Sequence, residues 1–543
     1  MTGRPLKHWG WGYEDQQRPD REIEEAAAGI RAMFGFGGES RPPVPAAEVE
    51  LRDSRLKVPG TGSSGLFTDD RHERLVHSLG KAYRDIVRGH RGEFTSPPDL
   101  VARPSGEDEV AEVLDRAEEW GAAVIPFGGG TSVVGGVEPR LADPDRPVVS
   151  LDLTRMDRVL EIDEMSLSAR IQGGVRGPAL EEQLRREGLT LRHYPQSFEY
   201  ATLGGWLATR AGGHFATGET HIDDLTQSIR AITPRGEWQS RRLPGSGAGP
   251  SPDRLLLGSE GILGVITEAW MRVRPRPRFK ASATIEFADF SEAATGAVRA
   301  IAQSRLGPSN CRLIDPLEAR TMGAGDGGST LLLLGFESAE LPVDFLLDQA
   351  ISIAIGHGGE VASRSIVYPE GETGDVEGSG SDRWRDAFLL APYFRDTLVS
   401  CGVLSETFET AITWDRFAEF HAAVIGATRR AVAEVCGAPA EGEGSPRVSC
   451  RLTHVYPDGA APYFTVIAPA VRGGEVEQWD EIKAAASEAI IENGGTITHH
   501  HAVGRDHRPW YDRQRPDAFA AALGAAKAEV DPKHMLNPGV LID

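Results

Sequence analysis

The stretch that decides the fold is Val124-Ile125-Pro126-Phe127-Gly128-Gly129-Gly130-Thr131-Ser132-Val133-Val134-Gly135-Gly136. Its apolar start predicts a buried strand, which runs into a loop with five glycines. Because glycine has no Cβ, such a loop reaches positive φ and turns several N–H groups onto one anion. The loop matches neither G-x-G-x-x-G nor the P-loop, since no Gly-Lys-Ser/Thr follows. We interpret it as a cradle for a pyrophosphate, and the alternative is a glycine-rich turn that binds nothing.

The surrounding sequence alternates helical and strand-like patterns. Helical spacing covers Glu107–Trp120, and short apolar runs at Ala122–Pro126 and Val148–Leu153 predict strands. The sequence Arg-Pro-Arg-Pro at Arg274–Pro277 cannot continue the interior of a sheet, which indicates a domain boundary. The texture predicts an α+β or α/β protein.

Composition limits the classes of partner. A chain of 543 residues is too long for one hydrophobic core, so we expect several domains. The net charge of −22 repels phosphate polymers, which argues against nucleic acid. The four cysteines lie far apart without a CxxC pair, as is typical of reduced thiols in a cytosolic protein. No signal peptide and no membrane-spanning run is evident, so we expect a cytoplasmic location.

Two further segments combine small residues with hydroxyls. They are Tyr194–Gly213, which contains Pro-Gln-Ser-Phe-Glu-Tyr-Ala and Thr-Arg-Ala-Gly-Gly, and Leu255–Gly264, Leu-Leu-Leu-Gly-Ser-Glu-Gly-Ile-Leu-Gly. With the glycine loop, in this order and spacing, they resemble the flavin-binding domain of the vanillyl-alcohol oxidase and para-cresol methylhydroxylase superfamily over about residues 95–275. The resemblance implies a two-subdomain FAD-binding domain of the para-cresol methylhydroxylase type, followed by an α+β cap domain that takes the substrate.

The resemblance also assigns residues to the cofactor. Some members of the superfamily attach the flavin through a loop histidine or a cysteine, and neither occurs between Pro126 and Pro139, so non-covalent FAD is implied. The implied FAD-binding residues are Pro126, Phe127, Gly128, Gly129, Gly130, Thr131, Ser132, Pro195, Gln196, Ser197, Phe198, Glu199, Tyr200, Ala201, Thr209, Arg210, Ala211, Gly212, Gly258, Ser259, Glu260, Gly261, Ile262, Leu263 and Gly264.

Three successive histidines, His499-His500-His501, are candidates for acid–base chemistry, because the ordinary pKa of imidazole lies near physiological pH. On a strand, His499 and His501 would share one face and His500 the other, so only two could act together. We predict no metal here, because no Asp, Glu or Cys at ligand spacing accompanies the pair. A packed histidine cluster without a role is the alternative.

Three other residues are candidates. Tyr463 offers a phenolic hydroxyl, although an aromatic residue in a strand is more often part of a core. Arg312 and Arg416 offer guanidinium groups, which bind phosphate through two hydrogen bonds, although surface arginines are common.

These segments together resemble the alkyldihydroxyacetonephosphate synthase (alkylglycerone-phosphate synthase) family of ether-lipid synthesis over most of the chain. The resemblance is carried by Trp9-Gly10-Trp11-Gly12-Tyr13, the flavin segments, Arg312-Leu313-Ile314-Asp315, Ala391-Pro392-Tyr393-Phe394-Arg395-Asp396, Ser405-Glu406-Thr407-Phe408-Glu409-Thr410, Trp414-Asp415-Arg416 and the three histidines. It implies exchange of the acyl group of acyl-dihydroxyacetone phosphate for a long-chain alcohol, without net electron transfer.

Carried over residue by residue, the resemblance places His501, with His499 and His500, at the reacting carbon. It makes Tyr463 a proton donor or acceptor, Arg416 a contact of the substrate phosphate and Arg312 a residue needed for activity. Two positions depart from the family pattern: Gln196 stands where Asp is usual, and Ala502 follows the histidines where Gly is usual.

The predicted organisation is an N-terminal extension (1–94), an FAD-binding domain (95–276), a cap domain (277–505) and a C-terminal segment that returns to the flavin site (506–543). We expect lipid-derived small-molecule substrates and a homodimer. Residues Trp384–Cys401 either touch a membrane peripherally or form a buried core helix. The alternative function is an FAD-linked dehydrogenase or oxidase of a 2-hydroxy acid such as D-lactate or glycolate.

Overall fold

The computed structural model describes residues 4–16, 20–60, 65–214, 221–368, 373–374, 380–439, 442 and 444–542, with the backbone alone at 20, 373–374 and 380–389. Its helices are α1 (Asp20–Phe34), α2 (Arg71–Val76), α3 (Tyr83–His90), α4 (Glu107–Glu119), α5 (Gly177–Arg185), α6 (Leu203–Thr209), α7 (Ile222–Leu225), α8 (Pro252–Leu256), α9 (Glu292–Gln303), α10 (Pro316–Thr321), α11 (Asp344–Gly356), α12 (Gly380–Ser400), α13 (Trp414–Cys436), α14 (Glu475–Glu492), α15 (Arg508–Gln514) and α16 (Asp517–Val530).

The strands form four sheets. In chain order they are β1 (Phe67–Thr68), β2 (Leu100–Ala102), β3 (Ala123–Phe127), β4 (Val148–Asp152), β5 (Val159–Asp163), β6 (Ser168–Gln172), β7 (Leu189–Thr190), β8 (Thr226–Thr233), β9 (Gly236–Gln239), β10 (Val265–Arg272), β11 (Arg274–Pro275), β12 (Phe279–Phe287), β13 (Asn310–Ile314), β14 (Thr330–Ser338), β15 (Glu360–Val367), β16 (Thr373–Gly374), β17 (Val403–Glu409), β18 (Ile412–Thr413), β19 (Arg447–Val455) and β20 (Gly459–Pro469).

The first sheet has the order β1-β2-β4-β3, and its strands β2, β4 and β3 are parallel. Buried apolar residues of α4, including Val110, Val113 and Leu114, pack against its face. The apolar start of the glycine stretch forms β3, as predicted. The glycine loop therefore leaves the carboxyl end of a parallel strand, where open α/β sheets commonly bind ligands.

The second sheet is antiparallel, with the order β5-β6-β10-β8-β9. Helices α5 and α6 bury apolar residues against it, including Leu180, Leu184 and Leu203. These two sheets each have a core of their own.

The third sheet has the path β16-β15-β12-β14-β13-β19-β20-β17, with β18 paired to β20. The largest hydrophobic cluster lies on it and includes apolar residues of α9, α11, α13 and α14. Helices and mixed sheets on this scale confirm the predicted α+β class. Among the described strands, β11, which carries the first Arg-Pro, pairs only with the two-residue strand β7, as expected of a segment that cannot continue a sheet interior.

Both ends of the chain pack onto this framework. Val124 on β3 forms a bridge with Leu536, and Val540, Leu541 and Ile542 join the core of the second sheet. Near the other end, Trp11 is buried and packs edge-on against Tyr200. In the described part of the chain, no helix is both long and apolar enough to cross a membrane.

Candidate active site

A single elongated cavity of about 280 Å³ brings most of the predicted residues together. Its glycine end, as we call it, is lined from the segments 126–136, 195–213 and 260–264. The predicted cofactor residues that line it are Pro126, Phe127, Gly128, Gly129, Gly130, Thr131, Ser132, Pro195, Gln196, Ser197, Ala201, Thr209, Ala211, Gly212, Glu260, Gly261 and Gly264.

Eight predicted cofactor residues lie in these segments without lining the cavity, namely Phe198, Glu199, Tyr200, Arg210, Gly258, Ser259, Ile262 and Leu263. Tyr200 and Glu199 instead contact Tyr393 of α12, whose hydroxyl lies 2.6 Å from that of Tyr200 and donates to the Glu199 carboxylate at 2.5 Å. Arg210 ends α6 and donates to Asp223 at 2.9 Å. These residues hold the cavity-lining segments in place through contacts outside the cavity.

The glycines of the loop are required by close packing. A Cβ on Gly128 would collide with the hydroxyl of Thr202, and a Cβ on Gly129 would collide with the carbonyl oxygen of Tyr200. Gly130 has a φ of +65°, which an L side chain rarely adopts. The N–H groups of Gly129, Gly130 and Thr131 have no hydrogen-bond acceptor within the described part of the chain. A backbone cradle with free donors fits a pyrophosphate such as that of FAD.

Glu260 joins the glycine end to the C-terminal half. Its carboxylate accepts hydrogen bonds of 2.9 Å from the N–H groups of both Val503 and Gly504, just beyond the three histidines. Burial raises the pKa of Glu260 to about 7. Asn537, which also lines the cavity, donates to the carbonyl oxygens of Gly136 and Glu260 at 3.0 and 2.7 Å.

The histidine end is lined by Arg312, Arg451, His454, Tyr463, His500 and His501. The expectation that the three histidines lie on a strand is wrong, because they lie in a bent segment without strand pairing between α14 and α15. Their rings are close together instead of alternating between faces. The ring centroids are 5.4 Å apart for His499 and His500 and 4.9 Å apart for His500 and His501.

A buried carboxylate, Glu409, creates this bend. It accepts the N–H groups of His499 at 2.6 Å, His500 at 3.1 Å and His501 at 2.9 Å, and also the hydroxyl of Thr498 at 2.6 Å. Burial acts to raise the pKa of Glu409, but the imidazoles of His501 and His499 and these hydrogen bonds outweigh it and lower the pKa. The next residue, Ala502, has a φ of +73°, which explains why glycine is usual there.

The imidazoles themselves are neutral near pH 7. Burial lowers the pKa of His500 to about 3, and it lowers those of His499 and His501 well below the ordinary value. Nδ1 of His501 is buried, has no hydrogen-bond partner among the described residues and lies 3.7 Å from the Glu409 carboxylate. His501 is thus an unprotonated imidazole beside a carboxylate. Burial weakens it as a base, and the Glu409 carboxylate offsets this effect by stabilising the protonated ring.

Strand register places three chemical groups in one row. Tyr463 on β20 is paired with Glu409 on β17 and with Arg451 on β19. Residues directly opposite each other in antiparallel strands project from the same face. The guanidinium of Arg451 lies over the Tyr463 ring, 3.7 Å from its centroid, and forms an ion pair with buried Glu318.

The two predicted arginines have different positions. Arg312 on β13 is buried, lines the cavity and contacts His214 through Nδ1 at 2.7 Å and the carbonyl oxygen at 2.9 Å. Burial and the charge of Arg451 lower the pKa of Arg312 to about 9. Arg416 is exposed on the first turn of α13, donates to the carbonyl oxygen of Asn493 at 2.7 Å and does not line the cavity. The structure therefore does not bring Arg416 to the other candidates.

The segment Trp384–Cys401 contributes to the cavity through Pro392, Phe394, Arg395 and Leu398. The side chains of Trp384, Phe388 and Leu389 lie outside the described residues, whereas Leu390 is exposed. Tyr393 and Phe394 are half-buried: Tyr393 contacts Tyr200 and Glu199, and Phe394 lines the cavity.

Sequence reasoning missed Glu409, Arg451, His454 and Asn537. Glu409 lies in the segment Ser405–Thr410, where a carboxylate among strand-forming residues indicates a buried charge with a specific partner. The other three carry no local signal, since their roles depend on strand pairing and on the return of the C-terminal segment.

Comparison with known proteins supports the cofactor and the fold. A family model described as "FAD binding domain" matches residues 98–240, and one described as "FAD linked oxidases, C-terminal domain" matches residues 276–541. A solved structure of p-cresol methylhydroxylase superposes with a TM-score of 0.67 at 14% identity, covering 97% of this chain and 98% of that chain. The predicted fold class is confirmed, and FAD is the cofactor.

Two comparisons identify the family. Alkyldihydroxyacetonephosphate synthase of Dictyostelium discoideum is 30% identical over 501 residues, which cover 87% of this chain and 78% of that protein. A solved alkyldihydroxyacetonephosphate synthase structure superposes with a TM-score of 0.80 at 25% identity, covering 98% of each chain. Glycolate oxidase subunit GlcD of Bacillus subtilis is more distant, at 24% over 500 residues, with 90% of this chain and 96% of that protein covered. The chain belongs to the alkyldihydroxyacetonephosphate synthase family.

Proposed function

We propose that the protein exchanges the acyl group of acyl-dihydroxyacetone phosphate for a long-chain alcohol, as an FAD-dependent synthase of ether-lipid precursors. The observation that carries this proposal is the convergence of neutral His501, Tyr463 and two guanidiniums at one end of a cavity whose other end fits FAD. The bond from carbon to the acyl oxygen breaks, the alcohol oxygen bonds to the same carbon, and the alcohol proton leaves with the fatty acid. Atoms balance without an external oxidant.

In this proposal FAD is held without a covalent bond by the glycine end. The free N–H donors of Gly129–Thr131 receive the pyrophosphate, and the small residues of 195–213 and 260–264 flank the remainder of the cofactor. Bound FAD supplies an isoalloxazine ring that takes up electron density from the substrate and returns it, so the exchange involves no net oxidation.

His501 acts as the general base for a proton beside the ketone. Its imidazole is neutral, and one ring nitrogen lies close to the Glu409 carboxylate. When the ring accepts a proton, the carboxylate stabilises the resulting imidazolium in a buried environment. Glu409 also fixes the backbone of His499, His500 and His501, so it orients the base as well as stabilising it.

Tyr463 assists departure of the fatty acid as a proton donor. Its strand, β20, lies between the two strands that carry Glu409 and Arg451, and the Arg451 guanidinium lies over the face of its ring. A cation in this position favours the negative charge that develops on the phenolic oxygen as its proton is transferred.

The substrate phosphate requires positive charge within the cavity. Among the described residues the lining contains the guanidiniums of Arg312, Arg395 and Arg451, and Arg451 is already engaged by the Glu318 carboxylate and the Tyr463 ring. We assign the phosphate to Arg312 and Arg395. The exposed position of Arg416 does not support the phosphate contact predicted for it.

We infer small-molecule, lipid-derived substrates from the family. We also propose that the protein is a homodimer and, as the sequence leads us to expect, that it is cytoplasmic. Leu390, which is exposed beside the cavity-lining part of α12, is our proposed point of peripheral contact with a membrane that supplies the substrates.

The proposal is tested by incubating the FAD-loaded protein with palmitoyl-dihydroxyacetone phosphate and radiolabelled hexadecanol. We expect labelled alkyl product and released palmitate in equal amounts. In parallel, anaerobic mixing with D-lactate or glycolate should leave the flavin oxidised. Bleaching of the flavin by a 2-hydroxy acid, with no alkyl product, would establish the dehydrogenase alternative and refute the proposal.

A further inference from the structure

A further histidine, His454, packs against two of the three successive histidines. His454 on β19 lies with its ring centroid 5.0 Å from that of His499 and 5.3 Å from that of His500. One nitrogen of each ring lies within 4.8 Å of the other two. The sequence around the three histidines offers no further metal ligand at suitable spacing. The fold brings His454 to them from 45 residues upstream of His499.

We propose that His454, His499 and His500 bind a zinc ion reversibly and that the bound ion inhibits the enzyme. Imidazole nitrogens are preferred zinc ligands, and a site with three protein ligands leaves a fourth position open. His454 and His500 line the cavity, so an ion held by them would lie at the cavity wall, where it would interfere with the substrate.

The spacing of the ring nitrogens suits this ion. Nδ1 of His499 and Nδ1 of His500 are 3.1 Å apart. Two ligands on a tetrahedral zinc ion with bonds of about 2.0–2.1 Å are separated by roughly 3.4 Å. His454 supplies the third nitrogen, which lies within 4.8 Å of the other two.

Neighbouring groups orient the His499 ring. Nε2 of His499 lies 2.5 Å from the hydroxyl of Tyr456, and in the tautomer in which Nε2 donates to that hydroxyl, Nδ1 keeps the lone pair that binds an ion. The backbone carbonyl of His499 accepts from Nε2 of His221 at 3.0 Å. The ligand is therefore positioned before an ion arrives.

Local charges make the binding reversible. Arg312 and Arg451 act on His500 with positive charge, which opposes a dication. The Glu409 carboxylate lies 3.4 Å from Nδ1 of His500 and offsets this repulsion. We therefore expect an inhibitory ion and not a permanent structural one.

Titration of the FAD-loaded, chelator-treated protein with zinc chloride in a calorimeter tests the binding. We expect one equivalent to bind, with at least a tenfold weaker constant in His454→Gln (about 1.4 kcal/mol). The matched control is His357→Gln, which removes a histidine at the end of α11 that does not line the cavity, and this variant should bind zinc as the unmodified protein does. FAD content and melting temperature establish that each variant is folded.

Turnover measured over the same range of zinc concentration tests the inhibition, a readout that rests on the proposed function. Loss of activity should follow the binding curve and require more zinc in His454→Gln. Absence of binding, or equal binding by His454→Gln and the unmodified protein, refutes the site, and binding without inhibition refutes its effect. A failure of the proposed function is distinct, since it leaves zinc-free protein inactive while the calorimetric binding persists.

Discussion

The glycine end and the histidine end of the cavity are built in different ways. Three short contiguous segments form the glycine end, and its chemistry comes from the backbone of residues such as Gly129 and Thr131. The histidine end is assembled from single side chains on β13, β19, β20 and the bend after α14. A backbone cradle is specified locally, whereas a constellation of titratable groups is specified by the tertiary fold.

The largest effect is expected at the glycine end. In Gly129→Ala the new Cβ collides with the carbonyl oxygen of Tyr200, so the loop and the segment 195–201 must move apart. We expect loss of bound FAD and therefore of all activity, measured by the absorbance of the flavin after gel filtration. Gly245→Ala, in an exposed loop with open space around the glycine, is the control and should retain its flavin. A yellow, active Gly129→Ala protein would contradict the cradle.

The second largest effect is expected at the histidine end, where a substitution should impair turnover without impairing FAD binding. His501→Ala removes the proposed base and leaves the glycine end unchanged, so the variant should retain FAD. Loss of general base catalysis should reduce kcat by roughly 10²–10⁴-fold. The measurement is the rate of alkyl product formation by protein with a confirmed flavin content. An unchanged rate would show that another group accepts the proton.

A smaller loss is expected when the carboxylate that shapes the histidine end is neutralised. Glu409→Gln keeps an oxygen acceptor for the backbone but loses the charge near His501, and we expect kcat to fall by roughly 10–100-fold. Glu406→Gln is the matched control, because Glu406 is a second buried carboxylate on β17 that contacts Trp479 and Lys483. If kcat falls equally in both variants, and in proportion to their loss of stability, the role of Glu409 is structural and not catalytic.

The smallest effect is expected for Glu260, whose carboxylate joins the glycine end to the backbone just beyond the three histidines. Burial raises the pKa of Glu260 from 4.5 to about 7, so the folded state binds a proton more tightly than the unfolded state. Its contribution to stability is complete below pH 4.5 and is lost as pH rises through about 7. Glu260→Gln should flatten the decline of the melting temperature across this window. Glu118→Gln, which alters an exposed carboxylate on α4, should leave the decline unchanged. If the melting temperature of Glu260→Gln declines as steeply as that of the unmodified protein, the raised pKa of Glu260 is contradicted.

The same contrast explains how much the sequence could predict. The periodicity of Glu107–Trp120 predicted α4 to within one residue, and the apolar runs predicted β3 and β4, because local propensity and burial agree there. The prediction that His499–His501 lie on a strand was wrong, because a distant carboxylate, Glu409, organises their backbone amides. The position of Arg416 and the presence of His454 at the site depend on packing between elements, which periodicity does not reveal.

The central claim, that the chain exchanges an acyloxy for an alkoxy group in this cavity, is tested most directly with hexadecanol that carries oxygen-18. The FAD-loaded protein is incubated with this alcohol and unlabelled palmitoyl-dihydroxyacetone phosphate, and both products are analysed by mass spectrometry. The account predicts the heavy oxygen in the alkyl product and none in the released palmitate. Absence of alkyl product, or heavy oxygen in palmitate with none in the alkyl product, would contradict it.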